Sequence, residues 1–578
     1  MQLLTNHIGY ERFGTKQAIL QGETELPVSH AEIIRCHDNQ SVMQLPVKPC
    51  GTIAQWHTGN TSSIDFTDLT ECGEYRIRVG DTLSTPFVVA EGLLMRRTFS
   101  DVLHYFKSQR CGGIFDRVDK HAPLLGSREH ADVHGGWYDA SGDVSKYLSH
   151  LSFSNYLNPQ QTPMVVWNML KSFELLADED SIADFTRVRL MEEAIFGADF
   201  LLRMQHPQGY FFVTVFDKWS KSTGQREICS YSTQEGIKST DYQAGFRQGG
   251  GVAIAALAGA ARLLKTQAAN TLGWEDNNRS QRYLCAAETG YWHLTEMNAQ
   301  YLDDSTENIL DEYCALLAAV ELFRATHDNR YLEAARQWAG RLAARQQSDN
   351  HQQHFWSATA DGSRPYYHAA EAGLPAISLM QYLTIEHNEN KREATLAVIT
   401  NALRFELSIT GEVNNPFGYP RQYIRPVGGE KHSAFFIPHH NESGYWWQGE
   451  NARVASLAAM AGMAQNLAID SKLKVQLKIY AQKLTDWILG LNPFDMCMLD
   501  GHGHNNPDYL PDLGFFNARG GICNGITSGF ENEQDIAFNP TGQKDDILQN
   551  WRWGEQWIPH ACWYLLAITT QFKERHLG

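Results

Sequence analysis

The sequence predicts a large, mainly α-helical domain preceded by a small β-sandwich, because the spacing of the apolar residues changes once along the chain. Residues 1–92 contain short alternating runs separated by Gly, Asn, Asp and Pro, which is typical of strands and turns. After about residue 95 the apolar residues recur at helical spacing in about ten segments, with almost no strand pattern between them. We therefore expect two domains, residues 1–92 and residues 93–578.

The N-terminal sandwich is predicted most clearly by the run from Gly73 to Val79, in which Tyr75, Ile77 and Val79 share one face. Phe87 follows a proline and begins the last apolar run of this region. Short strands of this kind over about 90 residues indicate a β-sandwich. The region contains no group of residues that suggests catalysis.

The helical domain is predicted by amphipathic segments, of which residues 309–323 are the clearest. Their apolar residues form one helix face: Ile309, Tyr313, Leu316, Leu317, Val320 and Phe323. Similar patterns occur at 163–177, 188–204, 248–265, 331–346, 368–385, 390–407, 451–466, 472–490 and 555–571. Paired helices wound into a toroid would bury these faces; a solenoid is the alternative, but no fixed-period repeat supports it. Long loops at 109–160, 206–247, 408–450 and 492–554 are expected to carry the chemistry.

Composition narrows the range of partners and compartments. The formal net charge of −17 argues against nucleic acid or an anionic membrane as partner, because phosphates would be repelled. The ten cysteines form no C-x-x-C pair and are expected to be reduced thiols of a cytosolic protein. The N-terminus lacks the pattern of a signal peptide, and the longest apolar run, 251–261, is too short to span a bilayer. We therefore expect a cytoplasmic protein; the sequence does not indicate its oligomeric state.

The stretch from His134 to Asp143 carries two carboxylates four residues apart, among glycines and behind two adjacent aromatic residues, Trp137 and Tyr138. Sugar hydrolysis needs such a combination, since a carboxylate activates water and a flat ring stacks on a pyranose. Asp139 and Asp143 are therefore candidate catalytic residues. The alternative interpretation is an ordinary turn, in which Asp and Gly are common.

A second group lies near the C-terminus, where Glu555 stands among tryptophans ahead of an apolar helical segment: Trp551, Trp553 and Trp557. Desolvation by indole rings raises a carboxyl pKa toward that of a general acid. The alternative is a glutamate in the first turn of a helix, where the helix dipole favours negative charge.

A third group precedes the helical segment at 451–466 and mixes polar side chains with three consecutive aromatic rings: His439, His440, Glu442, Tyr445, Trp446 and Trp447. Its composition suits a sugar subsite; the alternative is a helix start held by aromatic packing.

His502 and His504 resemble a metal pair, but no further ligands follow at suitable spacing, so a turn and no metal site are expected. No G-x-S-x-G or H-E-x-x-H pattern occurs, so nothing supports a serine hydrolase or a zinc protease.

Three blocks of this chain resemble those of glycoside hydrolase family 9, the inverting cellulase-type enzymes. Gly-Gly-Trp-Tyr-Asp-Ala-Ser-Gly-Asp at 135–143 resembles the family signature G-G-W-[YH]-D-A-G-D. Residues 489–493 with 501–507 resemble its G-x-N-P and G-x-G-x-N-x-P region, and residues 553–555 its C-terminal block with the acid Glu. Residues 6–10 and 86–88 resemble the immunoglobulin-like domain that precedes one branch of the family.

The resemblance implies an (α/α)6 barrel preceded by an immunoglobulin-like domain, and hydrolysis with inversion. It implies Glu555 as the general acid and Asp143 or Asp139 as the general base. The chain has Ala-Ser-Gly between the two aspartates where the family has Ala-Gly, which leaves the choice of base open. The family's His-His-Arg is also missing, and Arg519 stands near its place. The residues expected to bind sugar are Trp137, Tyr138, His439, His440, Glu442, Tyr445, Trp446, Trp447, Arg519, Trp551 and Trp553.

The expected reaction is cleavage of β-1,4 glycosidic bonds with exo action on short imported oligosaccharides, because a cytoplasmic enzyme does not meet insoluble cellulose. The chain is similar to a small branch of the family with exo-β-D-glucosaminidase activity on chitosan-type oligomers, in which Asp139 or Glu442 would hold the sugar ammonium. An endoglucanase or cellodextrinase acting on β-1,4-glucans is the alternative, and a non-catalytic carbohydrate-binding protein is a minor one. No cofactor is expected; family members often hold structural Ca²⁺, but no diagnostic loop is found.

Overall fold

The computed structural model describes residues 1–24 and 28–576, and its N-terminal part contains two β-sheets. The strands are β1 Gln2–Leu4, β2 Tyr10–Glu11, β3 Gln17–Gly22, β4 His30–Arg35, β5 Ser41–Pro46, β6 Lys48–Thr52, β7 Asn60–Asp65, β8 Gly73–Val79, β9 Thr82–Leu83 and β10 Phe87–Ala90. One sheet has the order β1-β3-β7-β6; the other has the order β2-β10-β8-β4-β5, with β9 paired to β8.

A single apolar core lies between these sheets and makes them a β-sandwich. Tyr75, Ile77 and Val79 of β8 are buried and the residues between them are exposed, as the alternation predicts. Ile64 of the first sheet and Ile33 of the second belong to the same core. Each such buried side chain contributes about 1.5–3 kcal/mol of hydrophobic free energy. The predicted immunoglobulin-like sandwich is confirmed.

The rest of the described chain is built on helices, which form two concentric rings. They are α1 Leu93–Gln109, α2 Gly113–Asp119, α3 Thr162–Leu176, α4 Asp184–Arg203, α5 Gly250–Leu263, α6 Gln267–Thr271, α7 Asn277–Tyr301, α8 Ile309–Thr326, α9 Asn329–Ala344, α10 Leu374–Leu383, α11 Glu389–Thr410, α12 Asn451–Met463, α13 Ser471–Ile488, α14 Trp551–Gly554 and α15 Ile558–His576. The inner ring α3-α5-α8-α10-α12-α15 closes on itself, and α4, α7, α9, α11, α13 and α1 pack outside its members in that order. This is an (α/α)6 barrel, so the toroid prediction is confirmed.

Burial explains which helices lie inside. Helix α5 is rich in Ala and Gly and is buried along almost its whole length. A Cβ on Gly251 would lie 2.8 Å from the Cβ of Cys314, so the glycine permits the close approach of α8. The outer helix α9 instead buries one stripe, at Tyr331, Ala335 and Leu342, and exposes the rest. The outer helix α7 was not predicted, because few of its residues are apolar and its stripe is narrow.

Two predicted helix starts were too early, and proline explains both. The segment predicted at 368–385 begins as a helix at Leu374, and the segment predicted at 555–571 begins at Ile558. A proline follows directly in each, and proline is tolerated only in the first turn. Glu555 therefore lies in extended backbone between α14 and α15. The alternative interpretation of Glu555 as a residue in the first turn of a helix is wrong.

Short strand pairs stiffen the loops between the helices. They are β11 Ala122–Pro123, β12 His130–Ala131, β13 Lys146–Tyr147, β14 Phe211–Phe212, β15 Thr214–Phe216, β16 Glu227–Ile228, β17 Ser230–Ser232, β18 Ile237–Ser239, β19 Gln243–Ala244, β20 Gln346–Gln347, β21 Phe355–Trp356, β22 Gln422–Ile424, β23 His432–Ala434, β24 Thr527–Ser528 and β25 Ile536–Ala537. All ten cysteines are unpaired. Among the helices of the described ranges, none has the length and apolarity needed to cross a membrane.

The sandwich is attached to the barrel through buried polar contacts. The Asn6 amide donates to Asp486 of α13 at 2.7 Å, and the His7 backbone N–H donates to the Leu489 carbonyl at 2.9 Å. Trp56 of the sandwich belongs to the apolar core of the barrel. These contacts support the loop after α13, which connects that helix to α14 and α15.

Candidate active site

A cavity of about 300 Å³ opens among the loops at one end of the barrel. Its wall comes from loops 139–151, 219–234, 445–448 and 555–557, which precede the inner helices α3, α5, α12 and α15. An outer helix returns the chain after each inner helix, so the loops before inner helices meet at the same end. Three carboxylates, those of Asp139, Asp143 and Glu555, line the cavity together.

The two aspartates flank a tight turn. The backbone N–H groups of Ala140 and Asp143 each donate to the other's carbonyl at 3.3 Å. Ser141, the additional residue in this turn, donates its backbone N–H to the Gln556 carbonyl at 2.9 Å. Its hydroxyl accepts from the Gln556 backbone N–H at 2.9 Å and donates to Asn517 at 3.0 Å. The additional residue thus ties the turn to the segment that carries Glu555.

Gly142 brings the turn into direct contact with Glu555, since its backbone N–H donates to Glu555 Oε1 at 3.1 Å. A Cβ here would lie 2.5 Å from that oxygen and 2.8 Å from the Tyr509 ring. We expect Gly142→Ala to displace Glu555 and lower kcat about 10- to 100-fold, measured together with the thermal midpoint. Gly340→Ala on α9, where a Cβ meets nothing within 4 Å, is the control. An unchanged kcat in the Gly142 variant would contradict the close contact.

Asp139 is nearly fully buried and is held by three donors. His150 Nε2 and the Trp557 indole N–H lie 2.8 and 3.0 Å from its Oδ2, and the Gln161 amide donates to its Oδ1. His150 also bonds to the Tyr231 hydroxyl. These donors fix the orientation of the Asp139 carboxylate in the cavity.

Asp143 is also buried, and three donors hold it. Its Oδ1 accepts from the Ser145 backbone N–H at 2.8 Å; its Oδ2 accepts from the Tyr147 hydroxyl at 2.7 Å and the Trp219 indole at 3.1 Å. Desolvation, followed by the negative charges of Asp139 and Asp217, raises the pKa of Asp143 to about 6. A carboxylate with this pKa is ionised at neutral pH and is a stronger base than an ordinary aspartate.

Glu555 is the third carboxyl group of the cavity, and its environment favours the protonated form. Desolvation in the cavity, followed by the charges of Asp143 and Asp139, raises the pKa of Glu555 well above its usual range. A raised pKa favours the protonated form of this carboxyl group, which suits a proton donor. One group can accept a proton while the other donates one, which is the requirement of general acid–base catalysis.

Three of the predicted sugar-binding residues line the cavity: Tyr445, Trp446 and Trp551. The prediction was wrong for Trp137 and Trp553, because both side chains are fully buried and offer no ring face to a ligand. The Trp137 indole donates to Glu193 at 2.7 Å, and the Trp553 indole donates to Thr527 at 2.8 Å. Both rings are part of the apolar core beneath the cavity.

The other six predicted sugar-binding residues lie outside the cavity wall: Tyr138, His439, His440, Glu442, Trp447 and Arg519. The hydroxyl of Tyr138 bonds to the backbone of Gly112, and the ring of His439 stacks on Trp447. His440 bonds to the Val427 carbonyl. Glu442 pairs with Arg364, and Arg519 pairs with Asp101. The structure therefore places these six residues outside the cavity wall and gives five of them polar partners within the protein, and their role in sugar binding stays a prediction.

Several cavity residues were not selected from the sequence: His150, Trp219, Tyr231, Tyr509 and Trp557. Trp219, Tyr231 and Tyr509 belong to the long loops 206–247 and 492–554, whose length indicated a functional role without identifying the residue. His150 had no local signal, because its contact with Asp139 depends on the turn between them.

Two clusters of the described chain bring three metal-ligating groups within 4.8 Å of one another: His7, Asp495 and His504, and Asp139, Asp143 and His150. In the first, the rings of His7 and His504 are stacked 3.5 Å apart with 16° between their planes, and the Nε2 atoms of both bond to Asp495. In the second, the carboxylates of Asp139 and Asp143 accept hydrogen bonds from protein donors. His502 bonds to Asp101 and His504 to Asp495, so the two histidines have separate partners. The absence of a metal requirement stays a prediction.

Comparison with known proteins agrees with this architecture. Residues 96–512 match Glycosyl hydrolase family 9, and residues 2–84 match the Cellulase N-terminal ig-like domain. The first match ends before Glu555, so the position of that residue is provided by the fold. A comparison with curated protein sequences gives no match.

Solved structures of similar fold cover the whole chain. A metagenome-derived glycoside hydrolase family 9 endoglucanase is 19% identical, with 99% of each chain covered and a TM-score of 0.69. A GH9 protein of Bacteroides ovatus is 17% identical over 99% of each chain, with a TM-score of 0.65. AaCel9A in complex with cellobiose-like isofagomine is 16% identical, covers 99% of this chain and 100% of its own, and has a TM-score of 0.65. With the family match over most of its length, the chain belongs to glycosyl hydrolase family 9 and is an inverting O-glycosyl hydrolase.

Proposed function

We propose that this glycoside hydrolase cleaves β-1,4 bonds and removes sugar residues one at a time from short oligosaccharides, with glucosamine oligomers preferred. The observation that carries exo action is a bridge across the cavity rim. Gln234 and Leu548, from two different loops of the wall, are joined by a hydrogen bond from the Gln234 amide to the Leu548 carbonyl at 3.0 Å. Lys221 also lies 3.9 Å from the centre of the Phe515 ring on another wall loop. Such bridges favour a pocket over the open groove that internal cleavage of a long chain needs.

The proposed chemistry assigns one role to each carboxyl group. Asp143 takes a proton from the attacking water, and Glu555 gives its proton to the leaving glycosidic oxygen. In inverting glycosidases the two carboxyl groups lie roughly 6.5–9.5 Å apart to leave room for that water. The pKa of Asp143, about 6, supports its role as the base, and the raised pKa of Glu555 supports its role as the acid.

The preference for glucosamine is supported by the third carboxylate. Acid and base use two of the three carboxyl groups, which leaves Asp139 as a fixed anion in the cavity. Its Oδ1 accepts from Gln161, and a carboxylate oxygen has a second lone pair that an ammonium can use. Glu442 is withdrawn as the alternative partner, because it pairs with Arg364 outside the cavity wall.

An endoglucanase or cellodextrinase acting on β-1,4-glucans is the second candidate. The printed names of the similar structures favour it, since several are endoglucanases. The aromatic rings of Tyr231, Tyr445 and Trp551 in the wall would also stack on neutral pyranoses. A non-catalytic binding protein is disfavoured, because binding needs no protonated carboxyl beside an ionised one.

Product analysis on defined chito- and cello-oligosaccharides, acetylated and unacetylated, tests the proposal. We expect release of single glucosamine units, and proton NMR of the first product should reveal the α-anomer. Comparable turnover of cello-oligosaccharides would refute the preference for glucosamine. Rapid viscosity loss in a soluble cellulose derivative would establish internal cleavage and support the second candidate. A β-anomer as first product would contradict the roles assigned to Asp143 and Glu555.

A further inference from the structure

Asp217 is a buried carboxylate directly behind the catalytic turn, at the end of β15. Its Oδ1 accepts from the Ser145 hydroxyl at 3.0 Å and from the Trp219 backbone N–H at 3.0 Å. Its Oδ2 is buried and has no hydrogen-bond partner within the described ranges. Buried carboxylate oxygens are almost always paired, so this arrangement calls for a functional explanation.

The two residues that Asp217 binds are the same two that hold Asp143. The Ser145 backbone N–H donates to Asp143 Oδ1, and the Trp219 indole donates to Asp143 Oδ2. Asp217 thus contacts, through different atoms, two of the three donors of Asp143. The remaining donor to Asp143 is the hydroxyl of Tyr147 in β13.

We propose that Asp217 is a positioning residue for hydrolysis: it holds Ser145 and Trp219 around Asp143, and its negative charge makes Asp143 a stronger base. The inference rests on Asp143 as the proposed base, and is independent of which sugar is cleaved and of exo action. Nothing in the sequence around Asp217 indicated this role, since the contact joins two distant loops.

The charge balance around Asp143 determines the direction of the effect. The titratable groups that face it, apart from phenols, are Asp139 of the same turn, Glu555 before α15, Asp217, His150 and Lys221. The phenols that face it are Tyr147, Tyr231, Tyr445 and Tyr509, all with raised pKa values. Because like charges disfavour ionisation, loss of the Asp217 charge should lower the pKa of Asp143 from about 6. The base would then remain ionised at lower pH but accept a proton less readily.

Asp217→Asn tests the charge, because it keeps the shape and an acceptor oxygen for Ser145 and Trp219. We expect the acid limb of the kcat/KM profile to move to lower pH by about half a unit or more, with little change in KM. At the pH optimum kcat should fall about 3- to 10-fold, as a weaker base predicts. Asp132→Asn, which removes a half-exposed carboxylate paired with His134 outside the cavity, is the matched control. An unmoved acid limb, or an equal movement in the control, would overturn the electrostatic role.

Ser145→Ala tests positioning separately, since it keeps the Asp217 charge and removes one of its two anchors. We expect a severalfold loss of kcat with the acid limb unmoved; an unchanged kcat would overturn the positioning role. A readout without turnover is the carboxyl band in pH-difference infrared spectra that disappears in Asp143→Asn. That band should titrate at lower pH in Asp217→Asn than in the unsubstituted enzyme, and identical titration refutes the inference. Lack of hydrolysis by the unsubstituted enzyme would instead refute the proposed function and leave this measurement intact.

Discussion

Replacing Glu555 by glutamine is expected to lower kcat on unactivated oligosaccharides about 1,000-fold, because the leaving oxygen then receives no proton from the enzyme. Glutamine keeps the volume and can accept from the Gly142 backbone N–H, which donates to Glu555 at 3.1 Å. The loss should therefore be chemical and not structural, and thermal unfolding should change little. The measurement is steady-state kinetics beside a melting curve for both proteins.

The leaving group provides the control for Glu555. A glycosyl fluoride or an aryl glycoside with a strongly acidic phenol departs without a proton, so Glu555→Gln should hydrolyse it with a much smaller loss. The basic limb of the pH profile should also disappear, since deprotonation of Glu555 sets it; desolvation raises the pKa of Glu555 and so moves that limb to higher pH. An equal loss on activated and unactivated substrates would refute the acid role.

Replacing Asp143 by asparagine is expected to lower kcat about 100- to 10,000-fold on activated and unactivated substrates alike, because every leaving group still needs an activated water. Activity should fall in the unsubstituted enzyme as pH drops through about 6, where the Asp143 carboxylate is protonated. That acid limb should be absent from the residual activity of Asp143→Asn. The measurement is kcat/KM against pH for both substrate classes.

Asp139→Asn is the matched control, since the same chemical change is made four residues away in the same cavity. If Asp139 holds the sugar ammonium, Asp139→Asn should raise KM for glucosamine oligomers more than it lowers kcat. Removal of its negative charge should also move the acid limb of Asp143 to lower pH. If Asp139→Asn abolished turnover while Asp143→Asn preserved it, the two roles would be exchanged.

The fold class was predictable from the sequence because buried apolar residues recur at a different spacing in strands than in helices. Alternate residues of β8 face one core, and the apolar stripe of α8 repeats at helical spacing. Helix α7 was missed because an outer helix needs only a narrow apolar stripe. The early helix starts at 368 and 555 were errors because apolar residues in a buried loop resemble those of a helix.

The site was predictable in part. Asp139, Asp143 and Glu555 were selected from local composition, and the structure brings them to one cavity. Trp137 and Trp553 were selected by the same reasoning and are fully buried instead. Aromatic rings near catalytic residues occur both in a cavity wall and in the core beneath it, and local sequence does not distinguish the two.

By itself, the sequence determined the order of the domains, the helical character of the larger one, and the three carboxyl groups that are candidates for the chemistry. These depend on residue type and local spacing, which a chain carries before it folds. The tertiary structure alone decided how Ser141 joins Gln556, how His150 reaches Asp139, and how Asp217 stands behind Asp143. These contacts depend on the closure of the inner helix ring, which brings together loops as far apart as 418 residues in sequence.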